Sequence, residues 1–284
     1  MDELLKLFEV VLRTFENGNS PQAFLVLVAL AFARLLAFLS VVPFFGGGAV
    51  STPIKTATAM ALVVISYPAL VNSLPAHGEL PFGAVGFGFM LAKETAIGYC
   101  LGYLTSLIFD GITTAGRLID LQRGATQGEV FAPQLQMQVT EIGQFKFQFA
   151  LVIFLAMGFH RFFLRAVLIS FHLFPVTKFP HLQPGWSPML EEIVRLSTGV
   201  LVVGVQLAAP VMVALLLTDV CFGLINRVAP QVNVFFLSMP VKMGLGLVVV
   251  WAAIGLYQER YIYFFKLGYQ YFEKLLYSFS QAYQ

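Results

Sequence analysis

Charge is the scarcest ingredient of this sequence: Asp, Glu, Lys and Arg make up 11% of its 284 residues. Such a proportion excludes an ordinary soluble domain, where about a quarter of the residues are charged. A net charge of +2, with Lys and Arg scattered singly and no basic tract, excludes a nucleic-acid binder. Cysteine is nearly absent too. Cys100 and Cys221 each lie in or at the end of an apolar segment, so they make neither a disulfide framework nor a metal site and read as small core residues. His77, His160, His172 and His181 are too widely spaced for a helical metal pair, and no nearby Cys, Asp or Glu completes a ligand set. No Gly-x-Ser-x-Gly elbow and no phosphate-binding loop ending in Lys-Ser/Thr occurs, which sets aside an ATP-driven pump. No catalytic residue, cofactor or metal is assigned.

What is abundant is apolar surface: 58% of the residues are hydrophobic. A bilayer crossing takes about 20 apolar residues, so the length suits about six helices with little left for a soluble module. The fold expected is an all-α membrane protein of about six long apolar helices, several of them kinked or interrupted, with amphipathic helices at both ends. Residues 2–16 open it, with Leu4, Phe8, Val11 and Phe15 on one face and Lys6, Glu9, Arg13 and Glu16 on the other. Apolar segments follow at 23–45, 54–74, 82–109, 145–171 and 194–217, and a short one at 243–257. The tail from 258 to 284 mixes aromatics with Arg260, Lys266 and Lys274, which suits an amphipathic helix at a headgroup layer or a partner surface.

Several of these segments carry residues that lipid tolerates badly. Arg34 stands near the middle of the first, Lys93 and Glu94 lie inside the third, and Arg161 and Arg165 share one face of the fourth, one turn apart. A charge at the centre of a lone spanning helix costs about 2.5–3.5 kcal/mol on insertion scales, so these five are expected to be buried against protein or water. Adjacent positions on a helix point about 100° apart, which gives Lys93 and Glu94 different partners. Gly98 and Gly102, one turn apart, mark a face for close helix approach. Pro210 should kink the fifth segment. Counting Lys and Arg on alternate sides of six helices sets no orientation, which suggests that some helices are solvated by neighbouring protein.

Two stretches break the pattern. From 110 to 144 the chain turns polar, with Gly124, Gly128, Pro133 and Gly143 preventing a single helix. A connector of that length is either functional or disordered. Its apolar members, Val130, Phe131, Leu135, Met137 and Val139, argue against simple disorder; a surface connector and a segment packed into a cavity both stay open. The second stretch is the joint between the last two apolar segments, residues 226–242. It packs Asn226, Arg227, Pro230, Gln231, Asn233, Pro240 and Lys242 into a largely hydrophobic span, and is expected to be buried against protein.

Pro230-Gln231-Val232-Asn233 followed by Pro240-Val241-Lys242, and Ile119-Asp120-Leu121-Gln122-Arg123-Gly124-Ala125 with Phe131-Ala132-Pro133-Gln134, closely resemble the SctT/FliR family of the type III secretion and flagellar export apparatus. The resemblance covers most of the chain. It implies a non-enzymatic subunit of a hetero-oligomeric export gate in the bacterial inner membrane, part of it raised toward the periplasmic side. The partners implied are two smaller export-apparatus membrane proteins in multiple copies and a switch protein, with unfolded secreted proteins as substrates.

By the same resemblance, residues of about 124–143 correspond to a loop plugging the lumen, with Gly128, Glu129, Val130, Phe131, Ala132, Pro133, Gln134 and Met137 in it. The family pattern commonly has Asp where this chain has Ala132. The joint residues stand at the family signature, in an assembly role. Residues 1–193 would form an N-terminal helical part related to the larger partner, and residues 194–284 a helical hairpin, similar to the smallest partner, with the aromatic tail. The Asp120 block and Leu173-Phe174-Pro175-Val176 look more like the virulence-associated injectisome branch than the flagellar one.

Two other classes compete. A secondary transporter would use Arg34, Lys93 and Glu94 around a midplane site, though inverted repeats are not evident. A membrane-embedded acyl transferase would need His160 or His172, and no convergent acid and nucleophile pair supports it.

Overall fold

The computed structural model describes residues 21–45, 50–71, 83–125, 141–178 and 186–281. Among them regular structure is entirely helical: α1 (Pro21–Val41), a 3-10 turn (Pro43–Phe45), α2 (Thr52–Val71), α3 (Ala84–Gln122), α4 (Glu141–Ala156), α5 (Phe159–Leu173), α6 (Trp186–Val228), α7 (Val234–Ala252) and α8 (Ile254–Gln281). Four helices, α1, α3, α6 and α7, are long and apolar enough to cross a membrane, and α4 with α5 makes a fifth if the broken pair is one span. The protein is an all-α membrane protein. The amphipathic segment expected at 2–16 lies outside the described residues, as do Gly128, Glu129, Val130, Phe131, Ala132, Pro133, Gln134 and Met137.

The chain divides into two compact units, one of residues 1–106, 159–193 and 268–284, the other of residues 107–158 and 194–267. In the first, α1 packs on α2 and α2 on α5. Gly98 and Gly102 bring α3 against α1: a Cβ on Gly98 would overlap the Arg34 carbonyl, and one on Gly102 would stand 3.0 Å from Phe38 O and Val41 Cβ. Small residues one turn apart let the two backbones approach this closely. The end of α8 joins this unit through Phe272, whose ring meets Phe163 of α5 edge to face at 5.4 Å.

The second unit is centred on an aromatic triangle. Phe109 of α3, Phe154 of α4 and Phe265 of α8 have ring centroids 5.0 to 5.7 Å apart. Such pairs add about 0.5–1.5 kcal/mol each beyond the area they bury. Small residues again set helix spacing: Gly204 of α6 faces Thr114 of α3, and Gly116 of α3 lies so close to Gly143 of α4 that a Cβ would overlap its backbone.

Four expectations change. The polar stretch from 110 does not begin a loop but continues α3 to Gln122, because Ile112, Ala115 and Ile119 keep a buried face at helical spacing. The fourth apolar segment breaks before its charges, at Met157 and Gly158. Gly158, with φ 73°, closes α4 in the left-handed conformation that glycine adopts without strain. α6 begins at Trp186, ahead of the segment expected from 194, and contains Pro210. Several tail aromatics, Tyr261, Phe264, Phe265 and Phe272, are buried in the chain's own core, as is Tyr257 just before them, leaving Arg260, Lys266 and Lys274 exposed.

Candidate functional site

Three sites gather polar residues among the described part of the chain. In the first unit, Arg34 is fully buried and uses its whole guanidinium. Its Nε donates to Glu94 Oε2, Nη1 to Ser170 Oγ at 3.1 Å and Nη2 to the carbonyl of Phe174 at 2.9 Å. The guanidinium carbon lies 4.4 Å from the centre of the Phe171 ring. Lys93, almost covered, pairs with the other oxygen of Glu94 at 2.9 Å. It also donates to the carbonyls of Pro175, Val176 and Lys178, the last at 2.7 Å. Lys93 and Glu94 therefore share one cluster, contrary to the expectation of separate partners, because the flexible lysine stem bends the ammonium back to its neighbour. The two cations take up carbonyls of the turn that follows α5. The arrangement joins α1, α3 and the end of α5.

Arg161 and Arg165 correct the expectation of five buried charges: both are exposed. Phe159, Phe163, Ala166, Val167, Ser170 and Phe171 form the buried face of α5, and the two arginines fall off it.

The second site is the junction of α3 and α4. Asp120 is buried and accepts from the backbone N–H of Gly143 at 3.2 Å and of Ile142 at 3.4 Å, so it caps the first turn of α4 from outside that helix. Arg123 bonds Asp120 through Nε at 3.0 Å and Nη2 at 2.9 Å, and reaches Glu141 Oε2 at 3.3 Å. Gly124, with φ 81°, then closes α3. Its N–H bonds the carbonyl of Leu121 and that of Ala125 bonds the carbonyl of Asp120, the paired closure of a Schellman motif. Residues 120–125 and 141–143 are thereby held by named contacts.

The third site is the α6–α7 hairpin. A turn at 229–233 joins the helices, with the Val232 N–H donating to the carbonyl of Ala229 at 3.1 Å. Asn233 caps α7, its Oδ1 accepting from the Phe236 N–H at 3.4 Å. Lys242 is half-buried and pairs with Asp219. Asn226, Arg227, Pro230, Gln231, Asn233 and Pro240 are exposed, so the expectation of a buried joint is not met within this chain. From residue 216 to residue 245 no position is buried, because the last deep contact of α6 is Leu215 and the first of α7 is Gly246.

Sequence reasoning passed over Asp219, Ser170 and Lys146. Lys146 is fully buried, donates to the carbonyl of Leu207 at 3.3 Å and lies 3.7 Å above the Tyr257 ring. A lysine interrupting an apolar run was the available signal. Ser170 and Asp219 carried none, since their partners lie far along the chain. No group of three or more His, Cys, Asp or Glu side chains that could hold a metal occurs among the described residues. The charged clusters are ion-paired and hydrogen-bonded joints between helices.

A family described as "Bacterial export proteins, family 1" matches residues 25–267. The flagellar biosynthetic protein FliR of Caulobacter vibrioides is 29% identical over 226 residues, 79% of this chain and 87% of that protein. The surface presentation of antigens protein SpaR of Salmonella typhimurium is 31% identical over 222 residues, 78% of this chain and 80% of that protein. SpaR of Shigella flexneri is 28% identical across 90% of this chain and 96% of its own length. With apolar helices that suit a bacterial inner membrane, with ion pairs that join helices, and with a match over most of its length, the chain belongs to the bacterial export protein family 1, the SctT/FliR family of type III export apparatus components.

Proposed function

We propose that this chain, itself without enzymatic activity, joins two smaller membrane proteins in multiple copies and a switch protein to form the pore through which unfolded proteins cross the inner membrane. Residues of about 124–143 plug the lumen, residues 194–284 stand in for a hairpin of the smallest partner, and part of the assembly is raised toward the periplasm. The observation that carries this reading is the hairpin. Only 28% of the spanning window of α6 and 17% of that of α7 are buried, against 61% in α3. Lipid would satisfy the apolar flanks but not the tip, where Asn226, Arg227, Gln231 and Asn233 would each be costly in hydrocarbon. A protein neighbour with matching polar groups meets both demands.

The test is extraction of the full chain from its native membrane in mild detergent. Two smaller membrane proteins should copurify in excess over this chain, and a monomer would overturn the reading. Deleting residues 127–138 should leave that complex intact and raise the leak of ions across the inner membrane; an unchanged leak removes the plug. We place the protein in the injectisome branch, with a flagellar role as the alternative. Complementation decides between them: restored secretion in a strain lacking the flagellar counterpart, and none in one lacking the injectisome counterpart, reverses the assignment.

The transporter reading loses its motive. Arg34, Glu94 and Lys93 satisfy one another and neighbouring carbonyls, as a structural joint does.

A further inference from the structure

Two polar groups described separately above meet at consecutive residues where α3 ends. Gln122 donates through Nε2 to Asp219 Oδ2 at 3.3 Å, and the other oxygen of Asp219 holds Lys242. Arg123, the next residue, holds Asp120 and Glu141 at the start of α4. Its stem runs against Gly246, where a Cβ would stand 3.4 Å from Arg123 Cδ. Lys242 and Gly246 are one turn apart on α7, so a single face of that helix presents a cation to Asp219 and a bare backbone to Arg123. Asp219 sits likewise one turn from Leu215, which also lies beside Gly246. In a stretch with no buried position, Asp219 and Lys242 are engaged within the chain.

We propose that Asp219 and Lys242, through Gln122 and Arg123, are positioning residues that tie the α6–α7 hairpin to the α3–α4 junction, so that the seating of the hairpin sets the geometry in which Asp120 holds that junction. This deepens the reading given above, since it rests on the junction bounding the leak barrier. The physical basis is that the ends of α3 and α4 touch backbone to backbone at Gly116 and Gly143, which leaves no slack between them. A displacement of α7 reaches Arg123 directly by packing and Gln122 through the Asp219 carboxylate. A partner that seats the hairpin thereby also sets the junction.

The experiment uses the full-length chain assembled with its native partners in cells lacking the native copy. It reads complex formation on native gels, inner-membrane ion leak and secretion. Asp219→Lys and Lys242→Asp should each assemble yet raise the leak several-fold. The double variant carrying both should return the leak to the native level, because a pair of the opposite sense forms again. Failure of the swap to rescue, or single variants as tight as the native chain, overturns the tie. If a charge reversal blocks assembly, Gln122→Met keeps the shape and removes only the amide; it should raise the leak at least twofold, and no rise overturns the proposal. The same variants in a chain lacking residues 127–138 separate this inference from the reading beneath it. Deletion without a leak defeats the plug, while the charge swap still decides the tie. Deletion that leaks, with Asp219→Lys adding a further leak on top, defeats the tie and leaves the plug standing.

Discussion

Arg34 and Trp251 occupy each other's usual places: the arginine is 0% exposed in the first unit, and the tryptophan is 73% exposed on α7. Around Arg34 every charge is answered inside the chain, by Glu94, by Ser170 and by carbonyls at the end of α5. Around Trp251 and back along α7, the apolar side chains of Val248 and Leu247 are more than half exposed. The first region is finished when the polypeptide folds. The second keeps apolar surface that the chain itself leaves exposed, and on the function proposed above partner subunits cover it.

The comparison breaks most readily at Glu94. Glu94→Ala strands Arg34 and Lys93 as buried cations without a counter-charge, and breaking a buried pair from one side costs about 3–5 kcal/mol. A large fall in the thermal midpoint of the chain in detergent is expected; a loss below about 1 kcal/mol would show that the cluster is not what holds its unit. Gly98→Leu comes next. The obstacle is the Arg34 carbonyl, a backbone atom that cannot turn aside, so α1 and α3 must separate at a cost of about 1–3 kcal/mol or more. Asn233→Ala removes the cap of α7 and should cost about 1 kcal/mol, read as faster amide exchange over the first turn of that helix.

On the hairpin the direction reverses. Trp251→Ser should shift the chain's own melting by less than about 0.5 kcal/mol while reducing recovery of its membrane partners. A large loss of intrinsic stability would make α7 part of the folding core and erase the contrast. The smallest effect is expected at the exposed arginines of α5: Arg161→Ala and Arg165→Ala should each change stability by no more than about 0.5 kcal/mol.

Much of this architecture was legible in the residues. Scarce charge and long apolar runs announced membrane helices, and Gly98 with Gly102 announced a close helix contact, because both signals live in local spacing. Gly124, read as one of the residues that prevent a single helix, closes α3 in the left-handed conformation, again a local demand. The extent of α3 was misjudged because the run of polar residues Arg117, Asp120, Gln122 and Arg123 looked like a loop, while Ile112, Ala115 and Ile119 carried the helical period.

Composition and periodicity thus settled that the chain is helical and membrane-bound, since those properties depend on residues a few positions apart. Which charges are buried depended on contacts between distant segments. Arg34 and Arg165 look alike in sequence, each a cation in an apolar run. One faces Glu94 sixty residues on and Ser170 beyond that; the other projects from the uncovered side of α5. The same long-range geometry pairs Gln122 with Asp219 and lays Arg123 on Gly246, because a helix face acquires a neighbour only when the chain returns to it.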